Sequence, residues 1–303
     1  MSQEAVQPGS SLIASFLIAL REGIEAVLIV AIIVSYLRKV HAERLYRPVY
    51  LGTLLGVLGS IAAGGLFLLL EVEFEGTGEQ VFEGSTMLLA AALLTTMIVW
   101  MSRNSSEYSE GLKSRVEQAL STRQVYGLAG LAFVSILREG IETVLFLGST
   151  SFTSTGIQTF IGGSAGILAA VLIGVAIIKY SVRMNMKLFF SVTGVLLVFF
   201  AAGLVSNGLG EFGEAGIVPP IKEGLWNTNW LIQGDSDLGQ ILNALLGYNA
   251  SPSITQVLGY VAYWVIVAIW IYKSEVVKAL GRIRSLLSSG GGRMPGDKSP
   301  GQR

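Results

Sequence analysis

The chain has no cysteine and a single histidine, His41, among its 303 residues. The missing cysteines exclude disulfide bonds, thiolate metal sites and iron–sulfur clusters. Charged residues are scarce as well. They make up 14% of the chain, whereas soluble globular proteins carry about 25%. Hydrophobic residues make up 51%, and the mean hydropathy is +0.61. Lipid is therefore the expected solvent for most of the chain.

Seven apolar runs are each long enough for a membrane-spanning helix of about 20 residues. They are Leu12 to Leu37, Val49 to Leu70, Gly84 to Met101, Tyr126 to Ser149, Gly156 to Ile178, Leu188 to Ser206 and Ile254 to Tyr272. Hydrocarbon offers no hydrogen-bond partner to a free peptide group, so each span is expected to be helical. We predict an all-α integral membrane protein that crosses the cell membrane seven times, and we expect the first run to be retained as a helix.

The charges are unevenly distributed although the net charge is zero. The zero total gives no reason to expect a nucleic-acid partner. Basic residues cluster within 38–47, 103–123, 179–187 and 273–303, which all fall on one side of a seven-span arrangement. The other side holds Lys222 as its one basic residue, together with many glutamates. The positive-inside rule then places the N-terminus outside and the C-terminus in the cytoplasm.

Two segments repeat one another: residues 16–30 read FLIALREGIEAVLIV and residues 133–147 read FVSILREGIETVLFL. An odd number of spans separates them, so they cross the membrane in opposite directions. This predicts an inverted repeat of three plus three helices with one helix added, an arrangement that places transporter sites near the bilayer midplane. The second helix of each half begins with small residues that permit close helix packing. They are Gly52, Gly56, Gly162 and Gly166.

These spans divide the chain into six predicted segments. They are the first three-helix repeat (1–101), a cytoplasmic linker (102–125), the second three-helix repeat (126–206), an extracytoplasmic loop with room for short helices (207–253), the seventh helix (254–272) and a cytoplasmic tail, disordered at its end (273–303).

The repeated motif places six charged residues inside the membrane. They are Arg21, Glu22 and Glu25 in the first span, and Arg138, Glu139 and Glu142 in the fourth. Each charge at the bilayer centre costs about 2.5 to 3.5 kcal/mol. Within each motif the three side chains lie within about 100° of one another around the helix axis. We therefore expect two charged stripes that face each other.

Facing stripes would bring four carboxylates and two guanidinium groups together, with two negative charges in excess. Carboxylate oxygens suit hard cations such as Fe³⁺, Mn²⁺ or Mg²⁺, whereas Cu⁺ and Zn²⁺ prefer thiolate or imidazole ligands that the spans lack. In the alternative interpretation, each arginine pairs with the glutamate four residues later and only stabilises the bundle. That alternative leaves Glu22 and Glu139 unpartnered and does not explain the duplication.

The duplicated Arg-Glu-Gly-Ile-Glu resembles the signature of the high-affinity, oxidase-dependent iron permease family, which includes fungal iron permeases and the bacterial Efe-system permease. Residues 82–101 resemble that family's third helix, and 209–216 resemble its segment after the sixth helix. The resemblance implies an iron ion as the substrate, most simply Fe³⁺, with no cofactor. It also implies an extracytoplasmic oxidase or iron-delivery protein as partner. The implied iron ligands are Glu22, Glu25, Glu139 and Glu142, with Arg21 and Arg138 as supporting charges.

Two other functions compete with iron transport. A permease for another ion, such as lead or manganese, would use the same oxygen ligands. An intramembrane di-iron enzyme would be expected to carry Glu-x-x-His pairs, and the spans contain no histidine. A metal sensor or scaffold would need a signalling domain, and the short tail offers none.

Further glutamates near the outer surface are candidate entry ligands. They are Glu79, Glu83, Glu211 and Glu214. The first two belong to an acidic segment, 71–83, which we expect to be an outside loop and which equally fits a merely solvated loop.

Three methionines in the third span have packing as their expected role, in preference to a soft-metal path. They are Met87, Met97 and Met101.

Replacing any one of the four motif glutamates with alanine is expected to abolish iron uptake, because each removes an oxygen ligand from the same site. Membrane insertion should be unaffected. Uptake of radioactive iron by cells expressing each variant, with the membrane-inserted amount as control, tests this. Transport retained by all four variants would refute the assignment.

Overall fold

The computed structural model describes residues 10–104, 111, 114, 116–118, 125–152, 156–180, 186–219, 224–234 and 236–270. Its helices are α1 (Ser10–Lys39), a short 3₁₀ helix (Glu43–Leu45), α2 (Tyr46–Glu73), α3 (Thr77–Asn104), α4 (Val125–Ser151), α5 (Gly156–Tyr180), α6 (Met186–Glu214), α7 (Asp237–Leu246) and α8 (Ile254–Trp270). These residues contain no strand, which confirms the all-α prediction. Most of the predicted linker, the predicted tail and Lys222 lie outside the described residues.

Four of these helices are long and apolar enough to cross a membrane by length and composition. They are the segment Glu43–Glu73, which joins the 3₁₀ helix to α2, and parts of α3 (Thr77–Met101), α5 (Gly156–Ile177) and α6 (Leu188–Glu214). Helix α8 (Ile254–Trp270) is a shorter apolar helix. In α1 and α4, every stretch of 18 residues contains at least three charged ones, so these two helices are more polar than the other four. Large apolar side chains such as Leu69 (70% exposed) and Val192 (55%) point away from the protein. An outward apolar surface of this kind is what a membrane protein presents to lipid.

Helices extend beyond the apolar runs at several ends. The segment 71–83 is not a loop, because α2 continues to Glu73 and α3 begins at Thr77. Likewise α6 continues past Ser206 to Glu214, so the predicted outer segment begins later. Hydropathy marks only the lipid-facing part of a helix, whereas glutamate is a good helix former that continues the helix into water. A short helix, α7, lies within the outer segment, as the sequence allows.

The helices pack in pairs: α1 against α5, α2 against α4 and α3 against α6, with α1 also crossing α4. A Cβ atom on Gly52 would collide with the backbone of Ala129, and one on Gly162 would collide with that of Leu12. Leu12 and Ala129 occupy the same position in the two copies of the repeat. The contact between α2 and α4 thus has a counterpart between α5 and α1.

The next turn of each pair repeats this reciprocity. A Cβ atom on Gly56 would lie 3.0 Å from the carbonyl oxygen of Phe133, and one on Gly166 would lie 2.5 Å from that of Phe16. Again the two phenylalanines are equivalent repeat positions. The predicted role of these glycines in close helix packing is confirmed.

Contacts between helix ends define two ends of the bundle. The start of α1 meets the end of α4, where Ser15 Oγ and Thr150 Oγ1 are 3.5 Å apart. The starts of α1 and α5 meet at Leu12 and Gly162, and the start of α3 meets the end of α6 at Gly84 and Gly208. We call this end, formed by the starts of α1, α3 and α5 and the ends of α2, α4 and α6, the acidic end.

The opposite end is closed by apolar side chains. A buried cluster joins the end of α1 to the starts of α2 and α4 and to one residue between α3 and α4. It consists of Ile29, Ile33, Val34, Leu37, Val49, Val116, Leu128 and Ala132. Four basic residues of the sequence lie beyond it, at Arg38, Lys39, Arg44 and Arg47. We call this end the basic end.

Substituting Gly52 with alanine is expected to destabilise the protein by about 1 to 3 kcal/mol, because the added methyl group has no space against the α4 backbone. Gly65 on the same helix is the matched control, since a Cβ atom added there would meet no other atom within 4 Å. Thermal unfolding of both variants in detergent gives the comparison. Equal melting temperatures for the two would contradict the packing described.

Candidate functional site

The repeated motif lies in the middle of α1 and of α4, which cross in antiparallel directions. The glycine of each motif allows a neighbouring helix to come close behind it. A Cβ atom on Gly23 would lie 2.6 Å from Cβ of Ala170 on α5, and one on Gly140 would collide with the Ser60 side chain on α2. The motif therefore packs tightly on its glycine side, and its charged side chains project elsewhere.

Three motif glutamates from the two helices come together. Glu22, Glu25 and Glu139 each offer one carboxylate oxygen, and these three oxygens all lie within 4.8 Å of one another. Each of the three residues is 1% exposed. The expected convergence of the two charged stripes is thus observed for three residues. Glu142 is not part of this group, and its side chain is 16% exposed.

Arg21 is buried among these carboxylates. Its Nη1 donates a hydrogen bond to Glu22 Oε1 at 2.6 Å, and its Nη2 lies 3.2 Å from Glu25 Oε1. Its side chain is 1% exposed. The arginine therefore offsets part of the repulsion between the glutamates.

Arg138 makes the equivalent contacts in a different setting. Its Nη2 lies 2.5 Å from Glu139 Oε1 and its Nε lies 3.3 Å from Glu142 Oε1, yet its side chain is 55% exposed. The expectation that arginine pairing would leave Glu22 and Glu139 unpartnered is wrong, because each arginine reaches both glutamates of its own motif. The arginine–glutamate pairing and the convergence of three glutamates therefore occur in the same structure.

Several buried polar atoms of this cluster make no hydrogen bond to any residue that the structure describes. They are Glu22 Oε2, Glu25 Oε1, Glu139 Oε2 and Arg21 Nε. A buried polar atom without a partner costs roughly 1 to 3 kcal/mol, and more when it belongs to a charged group. One carboxylate oxygen each of Glu22 and Glu139 is therefore free to bind a cation, whereas Glu25 Oε1 stays in its ion pair with Arg21 Nη2.

Met97 of α3, for which the sequence predicts a packing role, is a neighbour of Arg21. Its Sδ accepts a hydrogen bond from Arg21 Nη1 at 2.9 Å. Met87 and Met101 are buried in α3, at 0% and 4% exposure, as the packing interpretation expects. Nothing in the sequence distinguishes Met97 from these two, since all three are methionines in an apolar run.

A second group of carboxylates lies at the acidic end. Glu83 on α3 is repelled electrostatically by carboxylates from three helices, namely Glu211, Glu79, Glu71 and Glu214. Glu79, Glu211 and Glu214, together with Glu71 at the end of α2, are thus near enough to Glu83 to interact with it electrostatically. Because α2 ends at Glu73 and α3 begins at Thr77, the short connection keeps Glu71 near Glu79.

Buried polar side chains outside the motif also lie at the acidic end. They are Ser15, Thr86, Ser149, Thr150, Gln158, Thr159 and Ser206. The basic end is closed by the apolar cluster described above. Within the described residues, the glutamate site therefore has polar surroundings toward one end and apolar surroundings toward the other.

Replacing Arg21 with methionine is expected to destabilise the protein strongly, by about 3 to 5 kcal/mol, because it leaves buried carboxylates without their counter-charge. The same replacement at Arg138 should cost less, because that side chain is 55% exposed and Glu139 still interacts electrostatically with Arg21. Melting temperatures of the two variants in detergent, with Arg21→Lys as a charge-keeping control, test this. A larger loss for Arg138 would contradict the burial pattern.

Comparison with known proteins identifies the family. The model of the Iron permease FTR1 family matches residues 12–283. The protein named Ferrous iron permease EfeU of Yersinia pestis is 31% identical over 250 residues, which cover 82% of this chain and 89% of that protein. Its namesake in Escherichia coli O157:H7 is also 31% identical over 250 residues, covering 82% and 91%.

No solved structure matches the chain. The family model spans both copies of the motif and every helix described above, and the relatives are permeases by name. The chain belongs to the iron permease FTR1 family and is a membrane transporter rather than an enzyme.

Proposed function

We propose that this protein takes up iron through the site formed by Glu22, Glu25 and Glu139, with Glu142 beside it. The observation that supports this best is the meeting of three buried carboxylates within 4.8 Å. Oxygen ligands of a small divalent ion bind at about 2.1 Å, so any two ligand oxygens stand no more than about 4.2 Å apart. The three oxygens, which lie within 4.8 Å of one another, would therefore draw closer together around a bound ion.

The charge of the buried group favours Fe²⁺ as the ion bound. Three ionised glutamates and Arg21 carry a net charge of two minus, which a divalent ion cancels and a trivalent ion reverses. A residual charge is costly in a medium of low dielectric constant. The relatives are named ferrous iron permeases, which agrees with this choice. Fe³⁺, expected from the family resemblance, stays the alternative that the experiment below tests.

The proposed topology has seven membrane helices, α1 to α6 and α8, with an inverted 3+3 repeat. The reciprocal glycine contacts support the repeat, since every close contact between α2 and α4 described above has its equivalent between α5 and α1. The charge separation between the two ends supports an N-terminus outside and a C-terminus in the cytoplasm of a cell or inner membrane. The six segments of the sequence analysis are proposed on the same basis, with the helix ends moved as described.

Iron would enter from the acidic end, which faces outside in this topology. Glu79, Glu83, Glu211 and Glu214 would attract the cation there, and an extracytoplasmic oxidase or delivery protein would dock nearby. The buried polar residues would line the approach to the motif glutamates. The apolar cluster at the basic end would then be the closed cytoplasmic gate of an alternating-access cycle.

Purified protein in liposomes should accumulate iron without any other component, at least about tenfold above protein-free liposomes, because the chain supplies the whole site. Radioactive iron is offered as Fe²⁺ with ascorbate or as Fe³⁺ citrate, with and without an imposed proton gradient. Fe²⁺ should be taken up faster than Fe³⁺.

Glu22→Ala and Glu139→Ala should reduce this uptake to background. Glu43→Ala is the matched control, since that exposed residue lies in the short 3₁₀ helix at the basic end, away from both carboxylate groups. Faster uptake of Fe³⁺ than of Fe²⁺ would overturn the charge argument for Fe²⁺. It would not contradict the proposal that the protein is an iron permease. If Mn²⁺ or Pb²⁺ inhibits the uptake of radioactive iron more strongly than unlabelled iron does, that result would favour manganese or lead as the substrate. No uptake of either iron species would count against a self-sufficient permease.

A further inference from the structure

The guanidinium group of Arg21 holds the position of a cation in the glutamate site. One nitrogen, Nη1, contacts both Glu22 Oε1 at 2.6 Å and Met97 Sδ at 2.9 Å. The other terminal nitrogen, Nη2, lies 3.2 Å from Glu25 Oε1. A positively charged group thus touches two carboxylates and a thioether at once. The atoms around it are those that would meet an ion in the same place.

We propose that Met97 is a further ligand of the transported ion and a determinant of its selectivity. When the ion binds, the Arg21 guanidinium moves off the Met97 sulfur but stays beside the carboxylates, and the sulfur coordinates the ion together with the motif carboxylates. This rests on the proposed function of the glutamate site. It adds a third helix, α3, and a soft atom to a set that otherwise contains oxygen alone.

The hydrogen bonding of the site supports such a displacement. A thioether sulfur is only a weak acceptor, so Arg21 gains little from its contact with Met97. Among the described residues, Arg21 Nε has no hydrogen-bond partner, and neither have Glu22 Oε2 and Glu139 Oε2. The guanidinium therefore leaves some of the buried carboxylate oxygens without a partner. An ion that binds several of these oxygens and the sulfur together would give them one.

Ligand softness explains what the sulfur adds. Carboxylates bind Mg²⁺, Mn²⁺ and iron through the same hard oxygen atoms and discriminate among them poorly. Thioether sulfur binds softer transition metals and has little affinity for Mg²⁺ or Mn²⁺. Mg²⁺ is also abundant in cells, so one sulfur ligand would reject the commonest competitor. Fe²⁺ is softer than Fe³⁺, and the sulfur accordingly favours the ferrous ion.

Met97→Leu removes the sulfur and nearly conserves the side-chain volume. We expect the variant to fold and to take up iron in liposomes, but with Mn²⁺ inhibiting Fe²⁺ uptake at a concentration about tenfold lower than for the wild type. Met87→Leu on the same helix is the matched control and should keep the wild-type inhibition curve. Identical inhibition curves for the Met97 variant and the wild type would overturn the proposal.

A second measurement does not depend on transport. The chain has no cysteine, so Met97→Cys introduces its only thiol, beside the carboxylates. Cd²⁺ should then bind tightly in detergent, by isothermal titration and by thiolate-to-metal absorption, and Glu22→Ala added to this variant should weaken binding at least about tenfold. Met87→Cys should show no such coupling to Glu22.

The two measurements separate the two proposals. If the wild type takes up no iron but Met97→Cys binds Cd²⁺ with coupling to Glu22, the ligand site stands and the transport function fails. If iron uptake is normal but Cd²⁺ binding is the same with and without Glu22, Met97 is not a ligand and the proposal is overturned.

Discussion

Carboxylates placed inside a membrane protein must have counter-charges, and this requirement organises the structure. Three glutamates with 1% exposure crowd within 4.8 Å, and Coulomb repulsion at that distance is severe in a medium of low dielectric constant. Arg21 compensates only part of it. The remaining negative charge is held in place by the packing of the helices that carry it, and the proposed iron site depends on it.

The scaffold around the charges is nearly symmetric, while the charges are not. Glycine contacts between α2 and α4 recur between α5 and α1 at equivalent repeat positions. Within this frame Arg21 is buried and touches Met97, whereas the Arg138 side chain is 55% exposed. Equivalent glycine contacts therefore lie in the two halves, but the two arginines have different environments.

The two ends of the bundle also differ in polarity. Acidic and buried polar side chains gather where α3 and α6 meet, and an apolar cluster joins α1, α2 and α4 at the other end. A hydrated cation is attracted electrostatically to the first and not to the second. This polarity is what the proposed entry at the acidic end depends on. Both features follow from side chains of each helix end, and neither depends on the central glutamates.

The sequence alone determined the features that are local or periodic. The apolar runs predicted helices, the repeat predicted equivalent halves, and the spacing of Glu22 and Glu25 placed them on one helix face. Tertiary structure alone decided which side chains meet: that Glu139 joins the cluster and Glu142 does not, that each arginine reaches both glutamates of its motif, and that Met97 touches Arg21. These depend on the distance and rotation between helices. Packing energies summed over many residues set that geometry, and no single stretch of sequence contains them.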